Sequence, residues 1–249
     1  MEMATLRAAV IGAGVAVAVA HAGPGVTAIA PLRRRCFRGL AGAGAADHVA
    51  LTFDDGPDPR FTPRLLDILG SRRTHATFFL LGSMVARAPS LAAELTAAGH
   101  EVGVHGWDHR CVLLRAPGAV YDDMAKARDT VAQATGTAPA FYRPPHGVLS
   151  SAAILAARGL GLTPLLWTCW GREWISGATS EKVFATLRRD LTAGATVLLH
   201  DSDCSSPPGS ALAALGAVDM LLDECARRGW RVGTSAAHSL GAGAARVYP

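Results

Sequence analysis

From about His48 onward, short apolar runs alternate with amphipathic stretches. The runs are Val49–Phe53, Ala76–Leu80, Glu101–Val104, Ala140–Tyr142, Thr163–Trp167, Thr196–Leu199 and Trp230–Gly233. Each has the length of a strand. Between them, apolar residues recur with a helical period near Pro63–Ser71, Ser90–Ala98, Val120–Thr135, Ser151–Arg158, Glu181–Leu191 and Leu212–Arg228. Punctuation agrees with these limits. Pro89-Ser90 opens a segment that Gly99 closes, Ser150-Ser151 opens one that Gly159 closes, and Gly229 ends the last. Such alternation predicts a parallel α/β protein.

The polar residues select the architecture. Asp54-Asp55, His105, Arg143 and His200 each follow the end of a predicted strand. A (β/α) barrel gathers all its strand ends on one face. An open sheet would hold the first and sixth strands apart unless the strand order reverses between them. The expected fold class is therefore α/β, a distorted (β/α) barrel with about seven strands.

Residues 1–46 differ from the rest: they are Ala- and Gly-rich and carry no polar motif. Arg7 precedes the apolar run Ala8–Ala20, the pattern of an export signal, with small-x-small sites at Ala20-His21-Ala22 and Ala28-Ile29-Ala30. The stretch Ala8–Ala30 is also long enough to span a membrane, although it carries His21 and Pro24. The chain is thus expected to divide into 1–46, a signal or membrane anchor, and 47–249, a catalytic unit separable from it. An exported or membrane-anchored protein at the cell envelope is expected. A loose extension of a cytoplasmic protein is the alternative.

Composition narrows the partners. With 50% hydrophobic and 18% charged residues, a 249-residue chain can bury a sizeable core. The net charge of +4 is scattered in small groups, without a long basic stripe, so no nucleic-acid partner is expected. A monomer is expected. Cys36, Cys111, Cys169, Cys204 and Cys225 form no CxxC cluster, so buried free thiols are expected rather than a structural zinc knot.

The chemistry begins at Leu51-Thr52-Phe53-Asp54-Asp55-Gly56-Pro57. Adjacent carboxylates repel and are costly to hold beside a core, so such a pair suggests a cation and a proton to move. His105-Gly106-Trp107-Asp108-His109 offers two imidazoles four residues apart, which share a face on a helical turn. With Asp55 they make two nitrogens and one oxygen, an open catalytic zinc set rather than a closed structural one. Asp54 then lies beside the cation with a free carboxylate, suited to a general base. The competing job for Asp54 is capping the turn before Gly56-Pro57. Arg143, held by Pro144-Pro145, would keep Asp54 ionised and oriented. His200, ending an apolar strand, suits a general acid, with Glu173, Asp201 or Asp203 as its partner.

Thr52-Phe53-Asp54-Asp55-Gly56-Pro57, His105-x-x-x-His109, Arg143-Pro144-Pro145-x-Gly147, Glu173-Trp174 and Leu198-x-His200-Asp201 together resemble the five ordered motifs of the polysaccharide deacetylases, the NodB-homology domains of carbohydrate esterase family four. The resemblance runs over about residues 47 to 240. It implies a distorted barrel, a divalent metal (zinc, with cobalt as the alternative) and hydrolysis of N-acetyl groups on an acetylated polysaccharide or oligosaccharide. Sometimes the family hydrolyses O-acetyl groups on xylan. By motif, Asp55, His105 and His109 bind the metal, Asp54 is the base, Arg143 orients Asp54, His200 is the acid and Glu173 tunes it. The backbone N–H of His146 would help hold the oxyanion, and Trp170 and Trp174 would border the substrate. Three residues depart from the pattern: His146 stands for Tyr, Glu173 for Asp, and Trp170 for an acid. The substrate is expected to be chitin-like or peptidoglycan. The alternatives are a related amidohydrolase acting on a small amide or imide, and a catalytically silent glycan-binding protein.

Overall fold

In the computed structural model, which describes residues 2–238, strands and helices alternate as the hydrophobic pattern predicts. The end of the predicted catalytic unit, 239–249, lies outside the described residues. Two helices come first, α1 (Glu2–Ala22) and α2 (Ala30–Cys36). Then follow β1 (His48–Asp54), α3 (Thr62–Ser71), β2 (Thr77–Leu80), α4 (Gly82–Arg87), α5 (Pro89–Ala97) and β3 (Glu101–Val104). Next come α6 (Pro117–Thr135), β4 (Phe141–Tyr142), α7 (Ser151–Gly159), β5 (Thr163–Pro164) and β6 (Cys169–Trp170). The described chain ends with α8 (Ser180–Asp190), β7 (Thr196–His200), α9 (Ser210–Arg227) and β8 (Arg231–Gly233).

All strand pairs are parallel, in the order β5-β4-β3-β2-β1-β7-β6. This path curls into an open barrel. β1 is buried along its whole length at the centre, as expected of a strand covered on both faces. Along β1, β8 pairs with the first half and β2 with the second. Strand alternation sorts the side chains of β1 and β7. Val49, Leu51, Phe53, Val197 and Leu199 enter the large core shared with Leu65 of α3, Leu187 of α8 and Leu221 of α9. Thr52, Asp54, Leu198 and His200 therefore face the barrel interior.

The predicted strand Thr163–Trp167 is a strand only at its first two residues. The chain then crosses a seam to β6, and β5 does not pair with β6. Buried carbonyls without a ladder need other donors. Arg143 Nε donates to Leu165 O at 3.1 Å and Arg143 Nη2 to Leu166 O at 2.9 Å. Arg33 Nε donates to Trp167 O at 3.2 Å.

The seam thus recruits part of the Ala/Gly-rich segment. Arg33 is 2% exposed, lies over the Trp167 ring at 5.0 Å and donates to Thr27 O at 2.9 Å. Leu40 O accepts from Leu166 N at 2.7 Å, and Leu40 and Ala41 are buried. α1 leaves Ile11, Val15, Val17 and Val19 exposed and meets the body at its end, where Ser151 Oγ donates to Ala20 O at 2.6 Å. The stretch Ile11–Ala28 is long and apolar enough to cross a membrane. All five cysteines are free thiols; Cys169 and Cys225 are buried, whereas Cys36 and Cys204 are exposed, against the expectation of burial.

A chain truncated to begin at Gly23 should keep the melting temperature of the full chain. One beginning at Asp47 should melt lower, because each buried seam carbonyl left without a donor costs about 1–3 kcal/mol. Equal melting temperatures for the two would show that the seam does not need residues 23–46.

Candidate active site

Neighbours on an extended strand point to opposite faces, so Asp54 and Asp55 could not meet on a straight β1. β1 ends at Asp54, and Asp55 takes the left-handed conformation, φ 79°. That is uncommon outside glycine and costs about 1–3 kcal/mol. The turn brings both carboxylates to one imidazole: His105 Nε2 lies 3.8 Å from Asp54 Oδ2 and 3.4 Å from Asp55 Oδ1.

His105 and His109 do not share a helical turn, contrary to the expectation from their spacing. They lie in a loop after β3, where Gly106, at φ 88°, turns the chain back. The first N–H groups of α4 hold this loop, Gly82 N on Gly106 O and Ser83 N on Trp107 O, both at 2.9 Å. Asp123 Oδ2 accepts from Trp107 N at 2.9 Å. The loop brings the two rings to a centroid separation of 5.2 Å.

One ligand atom each from Asp55, His105 and His109 lies within 4.8 Å of the others. His105 Nδ1 donates to Arg143 O at 2.8 Å, which leaves the Nε2 lone pair facing Asp55. Burial pulls the pKa of His105 down to about 3, so it is neutral, the form that ligates a metal. Asp55 Oδ1 is buried and has no hydrogen-bond partner among the described residues, 3.4 Å from His105 Nε2 and 3.7 Å from His109 Nε2. An orphaned buried carboxylate oxygen between two imidazole nitrogens fits a divalent cation.

Asp54 has a different partner. Arg143 Nη1 donates to Asp54 Oδ1 and to Thr52 Oγ1, each at 2.7 Å. Burial raises the Asp54 pKa, and the Arg143 charge opposes the rise. Glu173, not Asp201 or Asp203, faces His200, with Nδ1 and Oε1 2.8 Å apart. Asp201 accepts from Thr62 Oγ1 at 2.6 Å, and Asp203 pairs with Arg60. Burial pulls the His200 pKa down, but Glu173, Asp55 and Asp54 outweigh it and bring it up to about 9.

Asp54, His105, His109 and His200 line a cavity of about 430 Å³ with His146, Gly147, Trp167, Trp170, Trp174, Leu198, Ser205, Ser206 and Pro207. Three indoles and the His200 ring form a row, at successive centroid distances of 5.6, 5.3 and 5.5 Å. The His146 side chain is exposed, with its ring 4.3 Å from that of His109. Gly147 is required where it stands, because a Cβ there would lie 2.3 Å from Trp167. Of the ten site residues expected from the sequence, seven line it, and Asp55, Arg143 and Glu173 lie against His105, Asp54 and His200 respectively. Sequence reasoning gave no role to Trp167 and Ser205, and quoted Leu198 in a motif without assigning it to the site. Leu198 was findable, since it shares a strand face with His200 two residues on.

The sequence profile of the polysaccharide deacetylases matches residues 41–165. The chain is 35% identical over 162 residues to a chitooligosaccharide deacetylase of Bradyrhizobium, covering 65% of this chain and 72% of that protein. This chain belongs to the polysaccharide deacetylase family. It is also 37% identical over 156 residues to a peptidoglycan-N-acetylglucosamine deacetylase of Listeria monocytogenes, covering 61% of this chain. It spans only 32% of the length of that Listeria protein. Its fold resembles that of a family 4 acetyl xylan esterase from Clostridium thermocellum solved with a cobalt ion. The TM-score is 0.69 and the identity 27%, over 77% of this chain and 90% of the other. The open, distorted barrel is thus the deacetylase family's fold.

The raised pKa of His200 has a definite sign. The charged form stabilises the fold fully below its ordinary value of 6.5, and this contribution fades as pH rises through about 9. Glu173→Gln removes the main group that raises it, so the alkaline limb of the kcat/KM profile should move to lower pH. An unmoved limb would show that Glu173 does not set the protonation of His200.

Proposed function

We propose that this chain is a metal-dependent hydrolase that removes acetyl groups from the N-acetylated sugars of a polysaccharide, chitin-like or peptidoglycan. The observation that carries this reading is the separation of two adjacent carboxylates. Asp54 is bound to Arg143, while Asp55 faces two imidazole nitrogens with one oxygen free. A binding site alone would need no such division.

Asp55, His105 and His109 would hold the cation, zinc by the preference of two imidazoles and one carboxylate, with cobalt as the alternative. Such a cation lowers the pKa of water and polarises a carbonyl. The remaining steps belong to the chain. Arg143 occupies Asp54 Oδ1, which leaves Oδ2 to take a proton as water adds to the amide carbon. The His146 backbone N–H stabilises the oxygen that gains charge. As the C–N bond breaks, His200, charged through Glu173, gives its proton to the departing sugar nitrogen. Acetate and a free amine result. Trp170 and Trp174 offer flat apolar faces to a sugar ring, and Trp170 does so where the family pattern has an acid.

In the same reading α1 is an export signal or membrane anchor that places a monomeric catalytic unit at the cell envelope. Residues 47–249 carry every group used in the chemistry.

The test separates the two acids. Asp55→Asn should lose the metal, because a neutral amide is a poorer ligand. Asp54→Asn and His200→Ala should keep it and lose about 100- to 10,000-fold in turnover. Metal content and acetate release from chitooligosaccharide, peptidoglycan and acetylxylan would be measured for each. Metal lost from Asp54→Asn and kept by Asp55→Asn would reverse the assignment. A metal-loaded chain that releases acetate from none of the three would overturn the deacetylase reading in favour of a glycan binder or a small-amide hydrolase.

A further inference from the structure

Asp55 is not held by its own loop alone. Its Oδ2 accepts a hydrogen bond from Ser205 Oγ, a residue of the loop that follows β7. The backbone oxygen of Asp55 meets Cys204 Sγ at 3.8 Å. Asp55 is fully buried and Ser205 borders the cavity, so this bond lies between the cavity and the carboxylate.

The two loops are fastened to each other at several further points. Ser202 Oγ donates to Asp58 Oδ2 at 3.1 Å. Arg60 Nη2 bridges Asp58, at 2.8 Å, and Asp203. Asp203 Oδ2 accepts from Gly209 N at 2.7 Å, and Cys204 N donates to Ser202 Oγ at 3.1 Å. Asp58 and Asp203 are both buried, while the Arg60 side chain is 60% exposed. These bonds hold the loop at 202–204 and at Gly209, on either side of Ser205 in sequence.

A free carboxylate offers two equivalent oxygens, and rotation exchanges them. Here one oxygen is taken by a hydroxyl donor and the other is buried without a partner, facing His105 and His109. A hydroxyl bond to a carboxylate is charge-assisted and stronger than a neutral one. It therefore fixes the rotation and presents Oδ1 alone to the two imidazoles.

We infer that Ser205 is a positioning residue for the metal ligand Asp55: its hydroxyl selects which carboxylate oxygen faces the cation and holds it ready before the cation arrives. This rests on the metal site proposed above. Ser205 has no role in moving protons, because its own proton is committed to Asp55.

The experiment uses the full chain, stripped of metal, and titrates it with zinc against a chromophoric chelator. Wild type should bind one equivalent. Ser205→Ala should bind zinc about 10- to 100-fold more weakly, the range measured for partners of metal ligands. Ser205→Thr, which keeps the hydroxyl, should return most of that affinity. The metal-free Ser205→Ala chain should melt as wild type does, which separates a positioning role from a structural one. Unchanged zinc affinity in Ser205→Ala, with wild type binding normally, would overturn the inference. So would unchanged affinity with a raised KM, which would make Ser205 a substrate contact. Wild type that binds no zinc or cobalt at all would overturn the metal site itself, and this inference with it.

Discussion

The Arg143 guanidinium is fully buried, and both the closure of the barrel and the orientation of Asp54 depend on it. It donates to Thr52 Oγ1 and Asp54 Oδ1 on β1, and to Leu165 O and Leu166 O in the seam beyond β5. Its flat face lies 3.9 Å from the centre of the Phe79 ring. Taking such a charge out of water costs several kcal/mol, and only a matched carboxylate and well-aimed acceptors offset it. Arginine meets this need because its planar fork supplies five fixed donors, where lysine would offer a point charge. The same group therefore fills the gap that β5 and β6 leave and holds one oxygen of Asp54. Fold and chemistry are coupled at a single side chain.

The rest of the site follows from departures from regular backbone. Asp55 and His146 both adopt positive φ without being glycine, at 79° and 60°. Strain of this kind persists only where surrounding contacts enforce it. At Asp55 the enforcement comes from the Ser205 loop; at His146 it comes from the Pro144-Pro145 turn and from Trp167 pressed against Gly147. The result is that two carboxylates of one type stand in different environments. One meets a guanidinium and the other meets two imidazoles.

The N-terminal segment is not of one kind. α1 exposes Ile11, Val15, Val17 and Val19, whereas Arg33 reaches into the seam and lies over Trp167, whose ring also borders the cavity. A residue outside the matched family region thus supports a wall of the site. Among the described residues Arg33 donates to backbone carbonyls and to no carboxylate, and burial lowers its pKa to about 10, so it still carries its charge at neutral pH.

The sequence by itself determined the parallel α/β class, most strand positions and the gathering of Asp54, Asp55, His105, His109, Arg143 and His200, while His146, Glu173, Trp170 and Trp174 were expected from the family resemblance. It could do so because strand ends in a barrel converge, and because hydrophobic runs and glycine stops are local signals. It also led to the expectation that Asp54 and Asp55 do different work. Tertiary structure decided what local signals do not carry. α4 is six residues long, too short to show a period, yet its first N–H groups hold the histidine loop. The spacing of His105 and His109 fits a helical turn, but Gly106 in the left-handed region makes it a loop. The choice of Glu173 over Asp201 and Asp203, the grip of Ser205 on Asp55 and the insertion of Arg33 into the seam each join residues far apart in the chain. Such pairings depend on where elements land once the core has packed, and no periodicity or spacing along the chain encodes that distance.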